Sequence, residues 1–186
     1  MPVNDRYEIR IAGFGGQGVV TIGKILGTAF SVFAGINSVN TQSYGPESRG
    51  GACRSEVVVS QGEINYPYVR HADVLIALSQ VALDTYLADL KESGILMLDP
   101  GSVQTVTDAD HFRIIKVPVA ALAHETGGLK FQNIVALGAL HAVIADLISE
   151  DALKDAIQAT VPPDTLAPNL AAFDKGKQYI NHHLKR

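Results

Sequence analysis

The sequence predicts an α/β protein: a three-layer α/β/α sandwich around a mixed, mostly parallel sheet with one antiparallel hairpin. Three observations carry that expectation. Short apolar runs alternate with helix-spaced segments through the first two-thirds of the 186 residues, the order that builds a sheet flanked by helices. Several runs, among them Asp73 to Leu78 and Gly94 to Leu98, are continuously apolar, as parallel strands covered on both faces are. Helical spacing dominates the last third. One domain is expected over residues 1–186, with a C-terminal helical segment from about 150 to 186.

In order, Glu8 to Phe14 reads as the first strand, Ile9 and Ile11 alternating with polar residues. A helix from about Gln17 to Ala34 carries Val20, Ile25 and Phe33. Gly23 and Gly27 interrupt it at a cost of about 1 kcal/mol each relative to alanine, tolerable if another backbone packs closely there. Gly35 closes it. Ile36 to Gln42 reads as a second strand and Cys53 to Ser60 as a strong third. Gln61-Gly62 looks like a turn, with Glu63 to Tyr66 as the antiparallel return. Asp73 to Leu78 is a buried strand, and Ser79 caps a helix from Gln80 to about Leu90. Gly94 to Leu98 and Ile114 to Val117 are further strands, and Val119 to Glu125 is a short helix. The clearest long helix runs from Asn133 to about Ile148, with Leu137, Leu140, Ile144 and Leu147 on one stripe. Ser149 caps a helix from Glu150 to Thr160 with an acidic first turn. Pro162-Pro163 breaks it, and a last amphipathic helix spans about Asn169 to Leu184.

Composition excludes several functions. The formal net charge of −4 gives no basic footprint for nucleic acid. No apolar run approaches the ~18 residues of a membrane span, and Met1 to Tyr7 lacks the apolar core of a signal peptide, so the expected location is the cytoplasm. Charged residues make up 18%, below the usual ~25%, which points to surface buried against a partner. The single cysteine, Cys53, can form no internal disulfide and cannot hold an iron–sulfur cluster, which takes about four thiolates. It reads as a small buried residue at a strand start. The histidines show no ligand spacing for zinc. His182-His183 reads as a solvated helix end, and His71 and Asp73 as structural hydrogen-bonding groups at a loop-to-strand junction.

Two stretches carry chemistry. Arg10-Ile-Ala-Gly-Phe-Gly-Gly-Gln-Gly-Val-Val-Thr-Ile-Gly-Lys24 runs from strand through a Gly-x-Gly-x-x-Gly turn at Gly13, Gly15 and Gly18 into a helix. Such a turn brings backbone N–H groups close to a ligand, and the helix N-terminus behind it suits a phosphate. A nicotinamide or flavin dinucleotide site also needs an acid about 20 residues on, at the second strand's end. Asn37 and Asn40 stand there instead, and no Asp or Glu appears until Glu47. A bare strand-to-helix turn without a ligand is the plainer alternative.

The second stretch is Ser43-Tyr-Gly-Pro-Glu-Ser-Arg-Gly-Gly-Ala-Cys-Arg54. It has no apolar face to bury. Arg49 and Arg54 offer forked donors for carboxylate or phosphate, and Gly50-Gly51 exposes backbone N–H groups. Both stretches follow strand ends, so both could rim one edge of the sheet, where α/β proteins bind ligands. Alternatively Arg49 pairs with Glu47 or a partner subunit, the glycines only shape a loop, and Tyr44 packs over Pro46.

At these residues the chain resembles the gamma subunits of 2-oxoacid:ferredoxin (acceptor) oxidoreductases. The resemblance lies in Gly15-Gly-Gln-Gly-Val-Val-Thr21, in Thr41-Gln-Ser-Tyr-Gly-Pro-Glu-Ser-Arg-Gly-Gly51 continuing through Glu56, in Asp73-Val-Leu-Ile-Ala77 and in Asn133-Ile-Val-Ala-Leu-Gly138. It spans essentially the whole chain and is nearest the 2-oxoglutarate type, with pyruvate and branched-chain types similar. It implies an enzyme that decarboxylates a 2-oxoacid on thiamine diphosphate, passes electrons through iron–sulfur clusters to ferredoxin, and transfers the acyl group to coenzyme A. Thiamine diphosphate would sit on alpha and beta subunits and the clusters on a ferredoxin-like delta subunit or domain, none on this chain alone. The isolated chain would be inactive, a homodimer being one admissible state. Carried onto this sequence, Gly15, Gly16, Gln17, Gly18 and Thr21 would face an anionic ligand at the active-site mouth. Ser43, Tyr44, Gly45, Ser48, Arg49, Gly50, Gly51 and Arg54 would face the same mouth, with coenzyme A as the ligand. Two other readings compete: a stand-alone NAD(P)-binding reductase and a purely structural assembly module.

Overall fold

The computed structural model describes residues 6–44, 52–107 and 111–183. Its centre is a six-stranded sheet built from β1 (Tyr7–Phe14), β2 (Asn37–Tyr44), β3 (Ala52–Ser60), β4 (Ala72–Ala77), β5 (Leu90–Leu98) and β6 (Arg113–Lys116). The order is β2-β3-β1-β4-β5-β6. β1, β4, β5 and β6 run parallel, while β3 is antiparallel to both β1 and β2. The mixed, mostly parallel sheet is as the sequence predicts.

The helices are α1 (Val19–Thr28, continued by a π turn over Ala29–Phe33), α2 (Gln80–Tyr86), α3 (Val119–Glu125), α4 (Gln132–Val143), α5 (Glu150–Thr160) and α6 (Leu166–His183). They are unevenly shared. α1, α3, α4, α5 and α6 pack on the sheet face that carries Ile9, Ile11, Val57, Val59, Val74 and Ile76. α2 and loop residues such as Val69 and Val103 cover Leu75, Ala77, Leu96 and Leu98 on the other. No helix of the described residues is long and apolar enough to cross a membrane.

Capping follows the sequence. The Ser79 and Ser149 hydroxyls accept from the N–H of Ala82 and Ala152, each at 3.2 Å, fixing the starts of α2 and α5. Gly35 takes φ +66° after the π turn, the left-handed conformation glycine adopts without strain.

Two expectations need correction and one gains a detail. The antiparallel return is not Glu63 to Tyr66. β3 already has β1 along one side and β2 along the other, so it offers no edge to a third partner. The carbonyls of Tyr66 and Tyr68 instead accept from the Arg6 guanidinium. Second, the alternation expected of β1 is present, and its polar residues are buried as well: Glu8 and Arg10 are both 4% exposed. Period-2 alternation here records two buried faces, one apolar and one ionic. Third, the stripe from Leu137 to Leu147 outlasts its helix. The Ile144 N–H donates to both Leu140 and His141 carbonyls, and helical geometry ends there although Ile144 stays buried.

α4 and α6 cross with almost no side chain between them. A Cβ on Gly138 would lie 1.9 Å from the Phe173 carbonyl oxygen, and one on Gly176 equally close to that of Val135. Only glycine allows two helical backbones that near.

Candidate functional site

The register brings the two glycine-bearing stretches to one sheet edge. Gly13 pairs with Cys53, and Cys53 pairs with Tyr44. The turn after β1 and the segment joining β2 to β3 therefore leave from neighbouring strand ends, on the side where the parallel strands terminate. This is the edge at which open α/β sheets bind ligands. Gly45, Ser48, Arg49, Gly50 and Gly51 lie outside the described residues. Ser43 and Tyr44 are exposed, Tyr44 to 65%. By pleat alternation Tyr44 shares the α1 face with Cys53, and Ser43 the opposite face with Arg54.

The turn itself is a built object. The Gln17 carboxamide straddles it: Oε1 accepts from the Phe14 N–H at 2.6 Å and Nε2 donates to the Leu78 carbonyl at 2.8 Å. Gln17 thus ties the turn to the end of β4, and its own N–H closes back on the Phe14 carbonyl at 3.2 Å. A Cβ on Gly13 would strike that Oε1 at 2.4 Å, so the small residue there makes room for the latch. Gly15 and Gly16 are exposed, Gln17, Gly18 and Thr21 half-buried. Gly18 serves as the N-cap of α1 with φ +73°, and no side chain caps the helix and no acid sits in its first turn. The opening N–H groups of α1 therefore keep their hydrogen-bonding capacity and the partial positive charge of the helix end.

Sequence spacing gave no sign of a second helix start at the same place. α4 also opens without a side-chain cap or an acid in its first turn. Its Asn133, 8% exposed, packs directly on Gly18. The start of α4, entered through a 3-10 turn over Leu129–Phe131 that takes the Gln132 N–H, thus meets the glycine turn. A separation of 115 positions in sequence hides the contact from any motif.

The other residues singled out from sequence have other work. Asn40 Nδ2 donates to Ser55 Oγ at 2.9 Å and to the Glu56 carbonyl at 3.0 Å, and Asn37 Nδ2 to the Gly62 carbonyl at 3.0 Å. Both carboxamides hold the β2 edge rather than stand ready for a ribose. Arg54 lies on the α2 side, with Nε 3.5 Å from Glu56 Oε1 and a nitrogen 3.4 Å from the Tyr86 hydroxyl. Contact with Tyr86, outweighing burial, pushes its guanidinium pKa up. Beneath it Arg10 is ion-paired to Glu56 at 2.8 Å and to Asp89 at 2.5 Å, with its guanidinium 4.9 Å from the centre of the Tyr86 ring. Cys53 is buried, and burial pushes its thiol up, away from the reactive thiolate. Among the described residues no three His, Cys, Asp or Glu side chains gather where a metal ion could be held. This donor set does not fit an iron–sulfur cluster.

At the opposite sheet edge lies a cleft of about 560 Å³, lined by Arg6, Glu8, Tyr66, Arg70, His71 and Lys91 among others. Its polar groups are mostly engaged. Glu8 Oε2 accepts from the N–H groups of Arg70 and His71 at 2.8 and 3.1 Å, and Glu8 Oε1 pairs with Arg6. Asp73 accepts from the Glu8 N–H at 2.8 Å and from Lys91 at 2.7 Å. These bonds give Asp73 the structural role expected of it, while His71 takes part through its backbone N–H.

The comparisons with known proteins agree with this geometry. The family model described as pyruvate ferredoxin/flavodoxin oxidoreductase matches residues 8–179. The chain is 46% identical over 181 residues to the 2-oxoglutarate synthase subunit KorC of Methanothermobacter thermautotrophicus, covering 94% of this chain and 95% of the relative. Its fold is similar to the gamma subunit of a keto/oxoacid ferredoxin oxidoreductase from Geobacter sulfurreducens: TM-score 0.80, 38% identity, 91% of this chain and 95% of that one. It also resembles part of the 2-oxoglutarate:ferredoxin oxidoreductase of Magnetococcus marinus, a structure with 2-oxoglutarate, coenzyme A and succinyl-CoA bound. There the TM-score is 0.83 at 28% identity, over 93% of this chain but 30% of that one. By the extent of the family match and the identity to its relatives, the chain belongs to the pyruvate ferredoxin/flavodoxin oxidoreductase family.

Proposed function

We propose that the chain is the gamma subunit of a 2-oxoglutarate:ferredoxin oxidoreductase, residues 1–186 acting as one domain of a cytoplasmic complex. The complex oxidatively decarboxylates the 2-oxoacid and delivers the acyl group to coenzyme A. Alpha and beta subunits hold thiamine diphosphate, which supplies the decarboxylation chemistry. A ferredoxin-like delta subunit or domain carries the clusters that pass electrons to ferredoxin. This chain binds and orients. The N–H groups of Gly15 to Thr21, apart from that of Gln17 which closes on the Phe14 carbonyl, receive the pyrophosphate of coenzyme A, and the 43–54 segment closes over the same mouth.

The observation that carries this reading is the uncapped start of α1, with no acid in its first turn, at the edge where β2 ends and β3 begins. A pyrophosphate fits there because donors and dipole act together and need no metal or lysine from this chain.

The test is calorimetric titration of coenzyme A into the co-expressed complex. Arg49→Ala is expected to weaken binding about tenfold, roughly 1.4 kcal/mol, and turnover on 2-oxoglutarate should exceed that on pyruvate or 2-oxoisovalerate. Unchanged affinity removes the 43–54 segment from the site. NADH binding by the chain alone would favour a self-sufficient reductase instead.

A further inference from the structure

The most unusual group near the turn is Asn133. It is 8% exposed, yet its carboxamide makes no hydrogen bond to another described residue. The sole side-chain nitrogen or oxygen sealed from solvent without a partner among the described residues is Nδ1 of His141. The Asn133 amide is therefore buried in its stem and open at its head. The head lies on the turn: a Cβ built on Gly18 would stand 2.6 Å from Asn133 Nδ2 and Cβ, and 2.7 Å from Cγ. Gly18 lacks a side chain where Asn133 has one.

An open carboxamide head can be served by water until a ligand takes the water's place. An apolar residue would fill the space but offer a ligand no donor. An aspartate would suit the first turn of α4 better, because negative charge is favoured at a helix N-terminus. A neutral group with two N–H donors is what an anion next to the turn would select, since an aspartate would repel it.

We propose that the Asn133 carboxamide is a ligand-contacting group of the glycine-turn site. Its Nδ2 donates to an anionic pyrophosphate oxygen that the opening N–H groups of α1 hold from the other side. The proposal rests on the coenzyme A reading above and adds to it a residue from the far half of the chain.

The experiment uses the co-expressed complex and two probes, coenzyme A and inorganic pyrophosphate, titrated into wild type, Asn133→Ala and Asn133→Asp. Thermal denaturation of each variant runs alongside. Asn133→Ala should weaken coenzyme A about tenfold, the loss of one hydrogen bond to a charged group. Asn133→Asp should weaken it at least as much while unfolding at or above the wild-type temperature, because the charge suits the helix end. That split between stability and affinity is one a merely structural asparagine would not produce. Asn133→Asp binding coenzyme A within twofold of wild type overturns the proposal and leaves the functional reading intact. Wild type binding neither probe overturns both.

Discussion

The two edges of the sheet make opposite use of their polar groups. At the amino ends of the parallel strands, the Glu8 carboxylate and the Arg6 guanidinium gather the backbone of residues 66–71, and Asp73 gathers Glu8 and Lys91. At the carboxyl ends, Gln17 shapes the turn but leaves α1 uncapped, and the Asn133 carboxamide has no partner among the described residues. The amino edge is satisfied by the chain itself, whereas the carboxyl edge keeps donors that no described residue uses. The cleft of about 560 Å³ is at the satisfied edge, so concavity and chemical demand point to different ends of this molecule. Demand is the better guide, because unmade hydrogen bonds are what a ligand can supply.

That contrast can be tested one edge at a time. The largest effect should come from Glu8→Ala, which strips two backbone N–H groups and Arg6 of a buried acceptor. A loss of about 3 kcal/mol in urea unfolding is expected, at the low end for breaking a buried pair, with coenzyme A affinity of the complex unmoved. A fall in affinity there would erase the distinction between the edges. Gln17→Ala removes two hydrogen bonds, worth about 1–2 kcal/mol together, and frees the turn. Coenzyme A affinity should drop roughly tenfold, a loss out of proportion to stability if the carboxyl edge is the binding edge. Gly16→Ala places a side chain in open space at φ +96°. It should cost about 1 kcal/mol or less in strain, with its clearest mark on affinity.

The smallest effect is a pH dependence that belongs to neither edge. Burial lowers the pKa of His141, so below the unfolded value of about 6.5 the unfolded chain binds the proton more readily. Stability is fully present above that pH and declines as pH falls through it. Hydrogen bonds from Lys154 and Lys177 hold Glu150 down at about 2, which adds a second decline as pH falls from the unfolded value of about 4.3. His141→Gln should flatten the first decline in thermal unfolding scans between pH 7.5 and 5.5.

Legibility in the sequence followed the range of the interaction. Ser79 and Ser149 act within three residues, and both caps were evident. The glycine turn and its helix share one short stretch, so the strand-turn-helix unit was readable to within two residues. The partner of β3 was not: a nearby Gln61-Gly62 turn outcompeted a long polar segment as the apparent hairpin, and only the sheet shows that both sides of β3 are occupied. The ionic face of β1 was not readable, because alternating polar residues look the same whether they meet water or Glu56, Asp89 and the backbone of residue 69. Asn133 was part of the resemblance, but nothing in its spacing announced that α4 starts against Gly18. Residues 45–51, on which much of the expected site falls, lie outside the described residues.

The bare crossing of α4 and α6 has a mechanical consequence. With no side chain to compress between Gly138 and Gly176, it acts as a fulcrum that sets where α4 lies along its own axis. Asn133 sits five residues up that helix, just over one turn. A single methyl group at position 138 must push the helices apart, and the displacement reaches the carboxamide although residue 138 touches nothing in the turn. The reach of a binding group can thus be set by the shortest contact at the other end of its helix.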